Sequence, residues 1–293
     1  MPTIHVTDLA DPRLADYSDV RERQLAAEFL PRSAPGTGPA GTPEAPFGKF
    51  MAEGEVVFRR LVESRFRTLS VLCTPARAPM VAALVAALNP EPPVYVIERP
   101  ALERLVGFHL HRGLIAIGAR EAPADPITLI RHPGAYVILE DLTNHDNVGA
   151  VFRNAAAFGA RAILLSPRCA DPLYRKSIRV SVGHALHVPF AWLDSWPEGL
   201  ATLTQAGIHL VALSPGNPGQ ALREWSWPRA ARVGMMFGSE GPGLSDGALQ
   251  HALDRVMIPM NAGVDSLNVA VTSAVVLEHL RWLKGRNQQG LRE

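Results

Sequence analysis

The sequence predicts an α/β protein made of two consecutive domains, and three observations carry that expectation. Short runs rich in Val, Ile and Leu alternate with segments of helical periodicity along most of the chain. Those runs show little polar alternation, which suits parallel strands covered on both faces. At 293 residues the chain is long for one domain and comfortable for two, and EAPADP at residues 121–126 has a linker's composition.

The elements follow in order. DPRLADYSDVRERQLAAEFL reads as a turn and then a charged helix. Residues 33–48, SAPGTGPAGTPEAPFG, hold four prolines and four glycines and are expected to form an irregular, mobile loop. FMAEGEVVFRRLVESRF places Phe50, Val57 and Leu61 at helical spacing. The strand LSVLC, the helix APMVAALVAALN, the strand VYVIE, the helix PALERLVG and the strand GLIAIGA complete a small α/β domain over residues 1–125. Residues 126–293 form a second series. The strand AYVILE leads to the helix NVGAVFRNAAAFG, closed by Gly159, and to the strand AILLS. A helix near LYRKSIRVSVG, a strand ALHVP and a helix around SWPEGLATLTQAG come next. The strands IHLVALS and RVGMMFG, the helix LSDGALQHA and the strand RVMIPM lead to the long last helix, SLNVAVTSAVVLEHLRWLKGR.

Composition excludes several classes. Hydrophobic residues make up 47% and charged ones 19%, enough to bury a core. No apolar run reaches the roughly 18–20 residues that span a bilayer, and MPTIHVTDLADPRL lacks a signal peptide's layout. Cys73 and Cys169 form neither CxxC nor a Cys/His ligand spacing, so free buried thiols in a reducing cytoplasm and no metal site are expected. The net charge of +1 gives no bulk sign of nucleic-acid binding, so any such case rests on local patches.

Ligands of open α/β sheets gather at the carboxyl ends of strands, and three post-strand segments here are chemically loaded. In the first, Glu140 to Gly149 leads to Arg153; Gly149 and Arg153 share a helix face, and Asn147 can cap the helix. In the second, Phe237-Gly-Ser-Glu-Gly-Pro-Gly-Leu-Ser245 packs three glycines between a strand and a helix, allowing close backbone approach to a ligand. It is neither a Walker loop nor GxGxxG. The third runs from Ile258-Pro-Met260 to Ser266-Leu-Asn-Val269, with Ser266 or Asp265 as the cap of the last helix. Each alone also reads as a plain capped helix or tight turn.

Together, in this order, the segments resemble the SpoU (TrmH-like) branch of the SPOUT superfamily of RNA methyltransferases. Asn147, Gly149 and Arg153 match its first motif; Gly238, Glu240, Gly241 and Gly243 its second; Ile258–Met260 and Ser266–Val269 its third. SVGHALHVP resembles an intermediate stretch, with His184 where a small residue is usual, and Ser239 stands where asparagine is common. More loosely, residues 46–120 resemble the L30e-like RNA-binding domain that often precedes this catalytic domain.

The resemblance implies a catalytic sheet whose C-terminal part is a deep trefoil knot, with S-adenosylmethionine as cofactor and no metal. Leu213, Gly238, Ile258, Met260 and Leu267 would hold that cofactor, largely through backbone groups. Arg153 is the implied catalytic residue, as a base or as an electrostatic anchor, and guanidinium chemistry favours the second. Asn147, Glu240, Ser266 and Asn268 would position the ribose and Arg153. Arg59, Arg60, Arg65 and Arg67 in the first domain, with Arg168, Arg175, Lys176 and Arg179, are the candidate RNA contacts; a solvated charged face is the competing reading. The stripe Val271, Val275, Leu280 and Leu283 is either core or, as in the family, a homodimer surface. The expected activity is ribose 2′-O-methylation of structured RNA, ribosomal rather than transfer RNA. The alternatives are a silent RNA-binding protein of this fold and a Rossmann enzyme, for which GxGxxG and its acidic partner are missing.

Overall fold

The computed structural model describes residues 3–18, 45–108, 110, 112–215, 219–228 and 232–289, with side chains as far as residue 285. The charged helix expected after Ser18 and residues 33–44 of the Pro/Gly loop lie outside the described residues. In chain order come β1 (Ile4–His5), β2 (Lys49–Glu53), α1 (Glu55–Glu63), β3 (Thr68–Cys73), α2 (Ala78–Val85), β4 (Val94–Val96), α3 (Arg99–Val106) and β5 (Leu114–Ala119). Then follow α4 (Pro126–Leu129), β6 (Gly134–Leu139), α5 (His145–Phe158), β7 (Ile163–Leu165), α6 (Arg175–Val180), β8 (Phe190–Trp192) and α7 (Gly199–Gln205). The chain ends with β9 (Ile208–Leu213), β10 (Gln220–Ala221), β11 (Arg232–Phe237), α8 (Asp246–His251), β12 (Asp254–Met257) and α9 (Val269–Gln289).

The chain divides into two compact units, Met1–Ala122 with Leu173–His187, and Pro123–Pro172 with Val188–Glu293. In the first, the sheet order is β1-β4-β3-β5-β2, with β1, β4 and β3 parallel and β5 and β2 antiparallel. The helix expected from Phe50 starts at Glu55, because Lys49–Glu53 pair along β5. Gly54, at φ +86°, turns the chain from strand to helix. Phe50 stands opposite Gly118, where an added Cβ would lie 2.3 Å from the ring, so strand pairing overrides the helical spacing. The segment Pro12–Tyr17 is a 3-10 helix that sends Leu14 and Tyr17 into the core, with the Tyr17 hydroxyl 2.6 Å from Ser70 Oγ.

Leu173–His187, placed by sequence in the second half, cluster with this first unit. Arg175 Nη1 donates to Glu53 Oε2 at 2.7 Å, both side chains largely buried, and the Arg175 guanidinium lies 4.2 Å from the centre of the Phe108 ring. Arg60 donates to the Val182 carbonyl, and His187 Nε2 donates to Arg60 O at 2.9 Å.

The second unit carries a seven-stranded sheet in the order β10-β12-β9-β11-β6-β7-β8, every neighbouring pair parallel. Tyr136, Ile138, Leu164, Leu210 and Met236 line one face together with Leu200 and Leu203 of α7 and Ala248 of α8. Their neighbours Val137, Leu139, Ile163, Val211, Met235 and Phe237 are equally buried, so both faces are covered, as the unalternating strands require. The strand expected at ALHVP is instead a 3-10 helix, His184–Leu186, and β8 begins after Pro189. Gly183, at φ +84°, starts that tight turn, and Pro189 has no N–H for a ladder. On α9, Val276, Leu277 and Leu280 are buried while Val271 and Val275 are 52% and 43% exposed, so the expected stripe divides between core and surface. Leu283 is half-buried. Among the described residues no helix is long and apolar enough to cross a membrane.

Candidate active site

The three loaded segments of the sequence meet in the second unit. β12, β9, β11 and β6 are consecutive in the sheet and parallel, so their carboxyl ends open on one edge. Leu213 ends β9, Gly238 follows β11, Ile258 follows β12 and Glu140 follows β6. Met260 and Leu267 lie on the segment that joins β12 to α9, where residues 261–268 are all exposed. Residues 216–218, in the loop after Leu213 expected to line the same place, lie outside the described residues.

The glycine loop has a stereochemical basis. Ser239 and Gly243 form a bridge, with Gly243 N–H donating to Ser239 O at 3.1 Å. That brings the limbs so close that a Cβ on Gly238 would lie 2.1 Å from the carbonyl carbon of Gly243. Gly241 and Gly243 take φ of +89° and +72°, where L side chains are strained. Ser239 thus contributes its main chain to the bridge, whichever side chain it carries.

The cap of α5 is Asn144, whose Oδ1 accepts from Asp146 N at 2.8 Å, and not Asn147. Asn147, in the first helical turn and 6% exposed, is therefore free to reach across the site. Its Nδ2 donates to Glu240 Oε1 at 2.7 Å. Asn268, and neither Ser266 nor Asp265, caps α9, with Oδ1 accepting from Ala270 N at 2.9 Å. Its Nδ2 donates to Asn147 Oδ1 at 3.1 Å and to Glu240 Oε1 at 3.0 Å. One residue from each segment thus closes a triangle of hydrogen bonds. Both amide donors fill the same carboxylate oxygen, Glu240 Oε1, with charge-assisted hydrogen bonds.

Ser266 is exposed two residues before that cap and makes no hydrogen bond with a described residue. Arg153, farther along α5, is exposed and likewise forms no hydrogen bond or ion pair with a described residue. Asn154, beside it, was not singled out from the sequence. Its Nδ2 donates to Ala270 O at 2.7 Å and Ser273 Oγ at 2.9 Å, locking α5 to α9 and so setting the triangle's spacing. An asparagine among the alanines of NAAAF is the signal that could have marked it.

The candidate RNA residues are placed less uniformly. Arg59 pairs with Glu55 at 3.0 Å on α1, and Arg65 pairs with Glu121 at 2.9 Å while lying over Phe66. Such exposed pairs contribute about 0–1 kcal/mol. Arg60 and Arg175 are committed to the internal contacts described above. Arg67 and Arg179 are exposed, Lys176 is half-buried, and Arg168 Nε donates to Asp141 Oδ2 at 3.0 Å.

Residues 134–278 match the model of the SpoU rRNA Methylase family. An uncharacterized tRNA/rRNA methyltransferase of Mycobacterium tuberculosis is 36% identical over 273 residues, covering 92% of this chain and 88% of that one. The fold is similar to that of the AdoMet-bound rRNA methyltransferase from Sinorhizobium meliloti, with TM-score 0.73, 21% identity and coverage of 96% and 98%. It is also similar to a solved RNA 2′-O ribose methyltransferase, with TM-score 0.69, 23% identity and coverage of 96% and 99%.

Proposed function

This chain belongs to the SpoU rRNA Methylase family, and we propose that it transfers the methyl group of S-adenosylmethionine to a ribose 2′-hydroxyl of structured RNA. Membership makes it an RNA methyltransferase; the ribose oxygen as acceptor, and ribosomal rather than transfer RNA as substrate, are our reading. The observation that carries it is the Asn147–Glu240–Asn268 triangle beside the converging ends of β9, β11 and β12.

The residues fit such a cofactor. Three adjacent parallel strands end together, and beside them the glycine loop folds tightly at Gly238 and Gly243, leaving main-chain N–H and C=O groups as the means by which an adenine edge would be read. Leu213, Gly238, Ile258, Met260 and Leu267 would hold it, with the chain threaded as the family's trefoil knot. When bound, the cofactor supplies a methyl group already activated on a sulfonium, so the chemistry needs no metal. The protein's task is alignment, and alignment alone lowers such a barrier by roughly 7–11 kcal/mol.

Arg153 would hold the phosphate next to the reacting ribose through its planar fork and stabilise negative charge developing on the 2′-oxygen. A guanidinium keeps its proton, so an electrostatic role suits it better than that of a base. Asn147, Glu240, Ser266 and Asn268 would orient the ribose. Arg59, Arg65, Arg67 and Arg179 would meet RNA through the N-terminal unit, here taken as the L30e-like substrate module. Two copies would pair through α9 in a cytoplasmic homodimer.

The test is calorimetric titration with S-adenosylmethionine in the presence of a chelator, followed by methyl incorporation into ribosomal and transfer RNA and mapping of the modified ribose. Micromolar binding with label on a 2′-oxygen is expected. Binding without transfer to any RNA would favour a silent RNA-binding protein, and absence of binding would remove the reading.

A further inference from the structure

We propose that Glu140 is a positioning residue that holds both ends of the glycine loop, and so sets where Gly238 and Glu240 stand. The proposal rests on the reading above only in taking that loop as part of the cofactor site. Glu140 is the first residue after β6 and is 4% exposed. Its main-chain N–H donates to Phe237 O at 2.9 Å, where the loop leaves the sheet. Its Oε2 accepts from Ser245 N at 2.9 Å, where the loop enters α8. Its Oε1 accepts from Trp196 Nε1 at 2.5 Å, which fixes the carboxylate's rotation.

A carboxylate is costly to bury unless its oxygens are filled, and an apolar residue would have continued the run AYVIL without that cost. Here the carboxylate supplies two acceptors aimed at donors on two different loops. Glutamine cannot replace it, because its amide would turn an N–H toward either Trp196 or Ser245. Held at entry and exit by one residue, the hairpin between Phe237 and Ser245 can place Glu240 against Asn147 and Asn268.

The experiment compares hydrogen exchange of ligand-free wild-type protein and Glu140→Gln with cofactor affinity and turnover. In the variant, exchange across residues 238–246 should rise about ten-fold or more, while β9 and α5 keep their protection. The dissociation constant for S-adenosylmethionine should weaken about ten-fold, the scale of one lost charge-assisted bond, with a smaller change in kcat at saturating cofactor. Trp196→Phe removes one donor and should quicken loop exchange by a smaller factor; it carries the test if Glu140→Gln does not fold. Loop exchange within two-fold of wild type in the folded variants would overturn the proposal. So would faster exchange with unchanged affinity. If the wild type binds no S-adenosylmethionine, the functional reading falls, while the exchange result still decides whether Glu140 holds the loop.

Discussion

Asn268 caps the last helix with its carbonyl oxygen and, through its amide nitrogen, donates to Asn147 Oδ1 across 3.1 Å. The two duties can be separated. Asn268→Asp keeps the cap, since aspartate caps as well as asparagine, but sets a carboxylate against Glu240 and removes the donor. We expect methyl transfer to fall about a hundred-fold, the scale of one lost oriented donor, with a small change in denaturation midpoint. Asn268→Ala should show the same loss of rate and in addition cost about 1 kcal/mol of stability. A near-normal rate in the aspartate variant would show that the triangle does not serve the chemistry.

Arg153 can be interrogated by two substitutions. Arg153→Ala should remove most single-turnover transfer and leave cofactor affinity almost unchanged, because Arg153 lies on α5 and outside the strand-end loops. Arg153→Lys keeps the charge without the planar fork and should lose about one to two decades of rate, with little new pH dependence. A lysine variant whose rate climbs steeply toward the ordinary lysine pKa of about 10.4 would point to a base instead.

Val271 and Val275 point outward from α9, at 52% and 43% exposure. Replacing both with glutamate should leave the fold of the isolated chain intact, since neither side chain belongs to its buried core. If two copies pair through this helix, light scattering should report a dimer for the wild type and a monomer for the double variant at micromolar concentration. A wild-type monomer, or a double variant that stays dimeric, rules out this face.

Asp254 contributes an acid-side dependence of stability. Partial burial works to raise its pKa, but the Trp225 indole N–H at 2.9 Å and His209 at 2.7 Å together hold it below the usual carboxylate value. A depressed folded-state pKa means stabilisation that is complete above the unfolded value of about 3.9 and is lost as pH falls through the folded one. The stability gap between wild type and Asp254→Asn should therefore be larger at pH 5 than at pH 3, shrinking as the pH falls below about 4. The gap should be under about 1 kcal/mol, since solvent screens a part-exposed carboxylate. Urea denaturation across that range measures it; a gap that grows on acidification contradicts the assignment.

Much of the second unit was legible because its signals are local. Strands buried on both faces read as unbroken apolar runs, and Gly159 closes α5 in the left-handed conformation the sequence implied. The misplacements have tertiary causes. Phe50 belongs to a strand because β5 offers Gly118 opposite its ring. An asparagine near a helix start is usually its cap, which points to Asn147, yet Asn144, three residues earlier, takes that duty. Ser266 and Asp265 gave way to Asn268 in the same manner.

By itself the sequence determined the alternation of strands and helices, the three segments that carry chemistry and their order along the chain. These depend on residue type and spacing over a few positions, which periodicity and glycine placement record directly. Only the tertiary structure decided that Asn147, Glu240 and Asn268 share their hydrogen bonds, that Glu140 spans the ends of the glycine loop, and that Leu173–His187 cluster with the N-terminal unit. Those relationships join residues far apart in the chain. Their distances follow from strand order and from helix packing such as the Asn154 contacts, which no local pattern encodes.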